Sequence, residues 1–372
     1  MFFGRVHRQM INRATTLRKM KRITLLLVIA FILICIQDSY TQNILEVPYK
    51  PLDEEFSSFT KALKEIDETD YQASIDLCTE ALEKYQDMNL RNNLIYWELS
   101  FHYASLKQYD KCFDILKLGQ DEGLFYYTRT RGNRIFPPYL KELQKLDGYE
   151  SFIAKNTELM EAANKHKTFE FMVQLPTGYT GSQNYPLMLI MHGGIGSIPS
   201  MQHNYLSEKL QKDFIVVYTQ GATYVGSYSR AYDMEDWNAR IKNVYQQIIS
   251  KYTVDTTQVI LAGPSAGGYR SLLLGLNNSI PAKGLLLSFA VYPIELDSTL
   301  FLNAAERGLK VALLCGENDW AIQQQKKLGY YLDKYGIQNR FVVFPEEGHG
   351  FPENWPYYLE TSVDFILVND SK

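Results

Sequence analysis

At 372 residues, with 46% hydrophobic and 22% charged residues, the chain is long enough for two domains and has the composition of a globular protein. Its net charge of −4 hides an asymmetry. Arg5, Arg8, Arg13, Arg18, Lys19, Lys21 and Arg22 fill the first 37 residues without one acid, and setting those seven charges aside leaves −11 on the remainder. An acidic body without a basic patch argues against nucleic acid as a partner.

The basic head runs into an uncharged apolar stretch, Ile23 to Ile36, followed by polar Gln37 to Gln42. Fourteen residues without a charge fall short of the roughly 20 that span a membrane. Positive residues, a short apolar run and a polar end read as a secretory signal peptide over residues 1–41, with Met20 as an alternative start. The chain is thus expected to be secreted or periplasmic, with no stable membrane span after cleavage. An uncleaved anchor is the alternative. Cys78, Cys112 and Cys315 then remain, an odd count in apolar surroundings. They read as buried free thiols rather than a disulfide framework, with a Cys78–Cys112 bridge as the alternative.

Residues 53–125 have helical periodicity. Asp70-Tyr71-Gln72-Ala73-Ser74-Ile75 leads into Cys78, Ala81 and Leu82, and 38 residues later Tyr109-Asp110-Lys111-Cys112-Phe113 leads into Leu116 and Gly119. Tyr96, Leu99, Ser100 and Tyr103 fall at i, i+3, i+4 and i+7, on one helix face. This resembles two tetratricopeptide repeats, with a longer period than the usual 34. The resemblance implies a small helical domain over residues 45–165, either a surface for a protein partner or a packing module. Residues 126–167 are a transition broken by Gly132, Pro137 and Pro138.

From Lys167 short apolar strands alternate with amphipathic helices, the pattern of a mostly parallel sheet covered on both faces. Strands are expected at 169–175, 187–191, 214–218, 259–262, 285–289, 311–315 and 341–344, and helices at 236–252, 322–335 and 357–368. Val259-Ile260-Leu261-Ala262-Gly263-Pro264-Ser265-Ala266-Gly267-Gly268 is a strand, a sharp turn and the start of a helix. Glycines at 263 and 267 let strand and helix approach closely enough to raise the Ser265 hydroxyl above the sheet edge. Gly-x-Ser-x-Gly alone is a weak signal, so its partners decide. A serine hydroxyl needs a base, and the base needs an orienting acid. His349 sits in a glycine-flanked loop after the last strand, and Asp319 follows the preceding strand, with Glu317 as the alternative acid. An oxyanion needs fixed N–H donors. Ala266 supplies one, and Gly193 or Gly194, in His192-Gly193-Gly194, supplies the other.

With these motifs in view, the segment from about Phe169 onward resembles the α/β-hydrolase superfamily. Its esterase, phospholipase/carboxylesterase and feruloyl-esterase-like branches are the most similar. Leu175-Pro176-Thr177-Gly178-Tyr179, His192-Gly193-Gly194, Gly263 to Gly268, Gly316 to Asp319 and Gly348-His349 carry the likeness, in the order Ser265, Asp319, His349. The expected architecture is α/β: an α/β-hydrolase catalytic domain over residues 167–372, with a mostly parallel sheet and helices on both faces, preceded by an all-α tetratricopeptide-like domain. The expected activity is hydrolysis of a carboxylic ester, such as one on an acylated carbohydrate, without cofactor or metal. His102, His166 and His203 lack metal-ligand spacing. The alternatives are a serine peptidase or amidase, which Pro264 before the serine disfavours, and a non-catalytic binding protein. The loop 219–232 and the tryptophans Trp237, Trp320 and Trp355 are candidates for substrate walls.

Overall fold

The apolar runs pair into one large sheet. The computed structural model describes residues 44–51, 54–67, 69–131, 134–291 and 297–368. Its strands are β1 (Ile44–Val47), β2 (Arg129–Arg131), β3 (Arg134–Phe136), β4 (Phe169–Gln174), β5 (Tyr185–Met191), β6 (Ile215–Gln220), β7 (Thr223–Gly226), β8 (Ser229–Ala231), β9 (Val254–Pro264), β10 (Gly284–Ser288), β11 (Lys310–Gly316) and β12 (Asn339–Phe344). Eight of them form the main sheet in the order β1-β4-β6-β5-β9-β10-β11-β12. β4 runs antiparallel to β6, and every pairing from β6 to β12 is parallel. Strands buried on both faces must be apolar throughout, which is why β5, β6, β10 and β11 read as continuous runs rather than alternations.

On one face, Met188, Ile190, Ile260, Ala262, Leu286, Ala312 and Leu314 share a core with Ile198 and Met201 of the helix Ile198–Asn204 and with Leu359, Val363 and Ile366 of the helix Trp355–Leu367. The alternate residues Leu187, Leu189, Leu261, Leu285, Leu287, Val311 and Leu313 are equally buried and point to the other face. Helices Trp237–Lys251, Ala266–Leu276 and Ile322–Lys334 pack against the same strands. From β5 the chain moves to β6 on one side, and from β9 it moves to β10 on the other. The strand order therefore reverses between β5 and β9, and a crevice opens beyond their C-terminal ends. His192-Gly193-Gly194 and Ser265 follow those two strands.

Ahead of the sheet, helices Glu54–Lys64, Tyr71–Lys84, Tyr109–Asp121 and Tyr149–Asn164 and a helical stretch over Met88–Ser105 surround a core of their own, with Cys78, Leu94, Ile95, Leu99, Cys112, Phe113, Leu116, Tyr126 and Phe152. Asp70 caps the second helix by accepting from the Ala73 N–H at 3.0 Å. Inside Met88–Ser105, Asn93–Leu99 winds as a π turn. Ser100, fully buried there, hydrogen-bonds the Tyr139 hydroxyl at 2.8 Å.

The expected all-α domain over 45–165 is corrected in two places. β1 is an edge strand of the main sheet, and Glu46 on it accepts from Lys251 Nζ at 2.7 Å and the Tyr252 hydroxyl at 2.9 Å. β2 and β3 form an antiparallel hairpin. Residues 45–372 make one compact unit. The seam between helices and sheet is the β7–β8 hairpin. Asn164 binds both backbone groups of Tyr224, at 3.0 and 2.9 Å, and Phe125 exchanges two hydrogen bonds with Ser227. Much of loop 219–232 is thus structural, with Arg230 and Tyr232 buried. The segment 1–41, with Met20, lies outside the described residues. Among the described residues no helix is long and apolar enough to cross a membrane.

Cys78, Cys112 and Cys315 are free and buried. Burial pushes each thiol up to about 12, and such thiols are inert. Alkylation of native protein followed by peptide mapping should leave all three unmodified, and unfolding should expose them all. A Cys78–Cys112 disulfide in the mapped peptides would contradict this.

Candidate active site

β9 delivers the serine through a turn that only glycines permit. A Cβ on Gly263 would lie 2.4 Å from the Met191 carbonyl oxygen, and one on Gly267 would lie 2.1 Å from it. Side chains there would push the strand and the helix Ala266–Leu276 apart. Ser265 between them adopts φ 51° and ψ −121°, a strained conformation for a residue with a side chain. Its N–H donates to the Ser288 carbonyl at 2.9 Å, and its own carbonyl accepts from the Tyr269 N–H at 3.1 Å. Both bonds hold the strain in place.

The structure brings the expected partners together. His349 Nε2 lies 3.0 Å from Ser265 Oγ, and His349 Nδ1 lies 2.9 Å from Asp319 Oδ1. Asp319 is buried. Its Oδ1 also accepts from the Ala321 N–H at 2.7 Å and its Oδ2 from Gln325 Nε2 at 3.0 Å. A buried carboxylate with this many donors stays in one orientation. Glu317, the alternative acid, is exposed and accepts instead from the Glu346 N–H at 3.2 Å. The imidazole of His349 is flanked by Trp320 at 4.8 Å and edge-on by Phe289 at 4.9 Å. Sequence reasoning missed Gln325, whose position six residues after Asp319 carries no motif. It also missed Phe289, which has φ 37°, strained backbone beside the base.

Three amides on the two segments that meet at Ser265, the N–H groups of Gly193, Gly194 and Ala266, lack a hydrogen-bond acceptor among the described residues. Ala266 opens the helix that follows Ser265, and a Cβ on Gly193 would lie 3.6 Å from the Ser265 Cβ. His192 fixes this loop from below. Its Nε2 accepts from the Gly221 N–H at 3.0 Å, so the proton sits on Nδ1, which donates to the Gly193 carbonyl at 2.9 Å. In a trans peptide the C=O and the following N–H point oppositely, so the Gly194 N–H is turned away from His192. The His192 ring stacks on Tyr232 at 4.2 Å. The Arg270 guanidinium lies over Tyr232 at 4.5 Å and over Trp237 at 5.6 Å. Arg270 is buried, with Nε and Nη1 unpartnered among the described residues.

The other expected wall residues divide. Trp355 is buried and its indole donates to the Asn204 carbonyl at 2.6 Å. Trp237 packs on Arg270, and Trp320 alone of the three is largely exposed. His102 lies beside Glu98 at 3.4 Å. His166 and His203 are exposed, and partial desolvation with Lys64 nearby lowers the pKa of His203. Among the described residues no group of three His, Cys, Asp or Glu side chains converges as a metal site.

No family model matches the chain, and no curated protein matches it. Among solved structures it is similar to an uncharacterized protein from Bacillus cereus ATCC 10987, at 17% identity over 84% of this chain and 98% of that one, with a TM-score of 0.45. FphF, a fluorophosphonate-binding serine hydrolase of Staphylococcus aureus, aligns at 15% identity over 54% of this chain and 92% of its own, with a TM-score of 0.42. Est1E from Butyrivibrio proteoclasticus, with ferulic acid bound, aligns at 14% over 54% and 95%, with a TM-score of 0.43.

Burial, with Arg270 and Arg230 nearby, pushes His192 from 6.5 down to about 3. Between those values the unfolded chain binds a proton that the folded chain refuses. Stability from this group is therefore complete above pH 6.5 and lost as the pH falls toward 3. The loss amounts to at most about 5 kcal/mol. Urea unfolding of native protein and His192→Asn across this range should show a shallower acid decline in the variant. Parallel declines would contradict the buried neutral histidine.

Proposed function

We propose that this protein is an exported serine hydrolase of the α/β-hydrolase type that cleaves carboxylic esters through an acyl-enzyme. The observation that carries the reading is the unbroken hydrogen-bond chain from Ser265 through His349 to buried Asp319. His349 Nε2 takes the Ser265 proton as Oγ attacks the ester carbonyl. The negative tetrahedral oxygen rests on the N–H groups of Ala266 and Gly194, with Gly193 alongside. The C–O bond to the alcohol breaks, and the alcohol leaves with the proton from His349. Water then attacks the acyl-enzyme with the same base, releasing the acid and restoring Ser265. Asp319 holds the imidazole tautomer and stabilises the imidazolium. Loss of one oxyanion donor would raise the barrier by roughly 3 kcal/mol.

Export is supported by the basic and apolar head at residues 1–36. A tetratricopeptide-like role for the helices ahead of the sheet, with a protein partner on their outer face, is supported by two consecutive pairs, 54–84 and 88–121, that share one core.

Fluorophosphonate labelling should modify Ser265, and Ser265→Ala should abolish p-nitrophenyl acetate hydrolysis while leaving the thermal unfolding transition intact. Undiminished turnover in the variant would sink the assignment. Peptidyl anilides should be poor substrates, and turnover of anilides above that of esters would make the protein a peptidase.

A further inference from the structure

Of the four tryptophans, Trp320 is 65% exposed and lies against the catalytic imidazole. A large apolar ring kept in water gives up burial energy that its neighbours recover. Trp355 is buried, Trp237 packs on Arg270, and Trp97, on the helical stretch Met88–Ser105, lies edge-on to Tyr96. Trp320 is not displayed by a loose loop. Asp319 donates its N–H to the Gly316 carbonyl at 3.2 Å, and Ala321 donates to the Asp319 carboxylate. The turn that fixes the acid fixes the indole.

The sheet order gives the indole a direction. The glycine donors follow β5, on one side of β9, whereas Trp320 and His349 follow β11 and β12, on the other. An ester bound for attack by Ser265 turns its carbonyl oxygen toward β5. Its leaving oxygen lies within reach of His349 Nε2, which returns the proton. The group carried by that oxygen therefore meets Trp320. We propose that Trp320 is the platform for the alcohol side of the substrate, and that this alcohol carries a ring with a flat apolar face, aryl or pyranose. Glu317, Glu346 and Glu347 occupy the same two loops and disfavour an anionic alcohol. This inference rests on Ser265 being the nucleophile.

The test uses acetates of methanol, hexanol, phenol and the 6-hydroxyl of glucose, with native protein, Trp320→Ala and Trp320→Phe. Intrinsic leaving-group reactivity cancels in the ratio of variant to native. In Trp320→Ala, kcat/KM for the phenyl or glucosyl ester should fall ~10-fold relative to the methyl ester. The hexyl ester should fall less, and Trp320→Phe should restore most of the loss. Loss confined to one ring type upholds the proposal and identifies the ring. Unchanged ratios, or an equal loss with hexyl acetate, would overturn it while Ser265 labelling leaves the ester reading standing. Failure of a fluorophosphonate to label Ser265 in the native protein would overturn both.

Discussion

The helix Ala266–Leu276 presses so closely on the end of β5 that a single methyl at Gly267 would sit 2.1 Å from one backbone oxygen and 2.6 Å from the next. In the proposed acyl transfer, that contact couples two requirements. It forces the chain at Ser265 into a positive φ, which lifts the hydroxyl out of the sheet. It also sets the distance between the nucleophile and the loop that carries Gly193 and Gly194. The proposed reacting atoms and oxyanion donors are thereby placed by backbone packing alone. The strain is held by the Ser265–Ser288 bond and by the apolar strands on both sides.

Two histidines near this point illustrate how surroundings divide labour. His349 has a buried carboxylate on one nitrogen and the serine hydroxyl on the other, so a proton arriving at Nε2 is matched by negative charge at Nδ1. His192 has a carbonyl on one nitrogen, a backbone N–H on the other, and arginines nearby. A second proton there would displace the Gly221 N–H and gain no counter-charge. His192 therefore acts as a strut for the loop that carries Gly193 and Gly194. Tyr232, Arg270 and Trp237 extend that strut across three more segments of the chain. The β7–β8 hairpin then ties the same region to the helices through Asn164 and Phe125.

The sheet from Phe169 onward was legible because parallel strands buried on both faces leave continuous apolar runs, and because Ser265, Asp319 and His349 each end or follow such a run. Boundaries slipped where polar residues belong to a strand. β9 begins at Val254, five residues before the apolar run, with Thr256 and Thr257 exposed. β1 was hidden because four residues beside a polar stretch carry no periodicity, and their partner strand lies over 100 residues away. The π turn at Asn93–Leu99 leaves no mark on a pattern that still places Tyr96, Leu99 and Ser100 inside. Gln325, Phe289 and the His192–Tyr232–Arg270 stack are matters of contact, which sequence spacing does not encode. The same holds for the tryptophans. Packing alone separates the exposed Trp320 from Trp237 and Trp355.

Acyl transfer through Ser265 requires a covalent acyl-serine on the way to product. Rapid acid quench of the protein mixed with p-nitrophenyl acetate, followed by peptide mass analysis, tests it most directly. An acetyl group is expected on the peptide containing Ser265, formed in step with a burst of one p-nitrophenol per chain. Continued product release with no acetylated Ser265, or with the acetyl group on another residue, would contradict it.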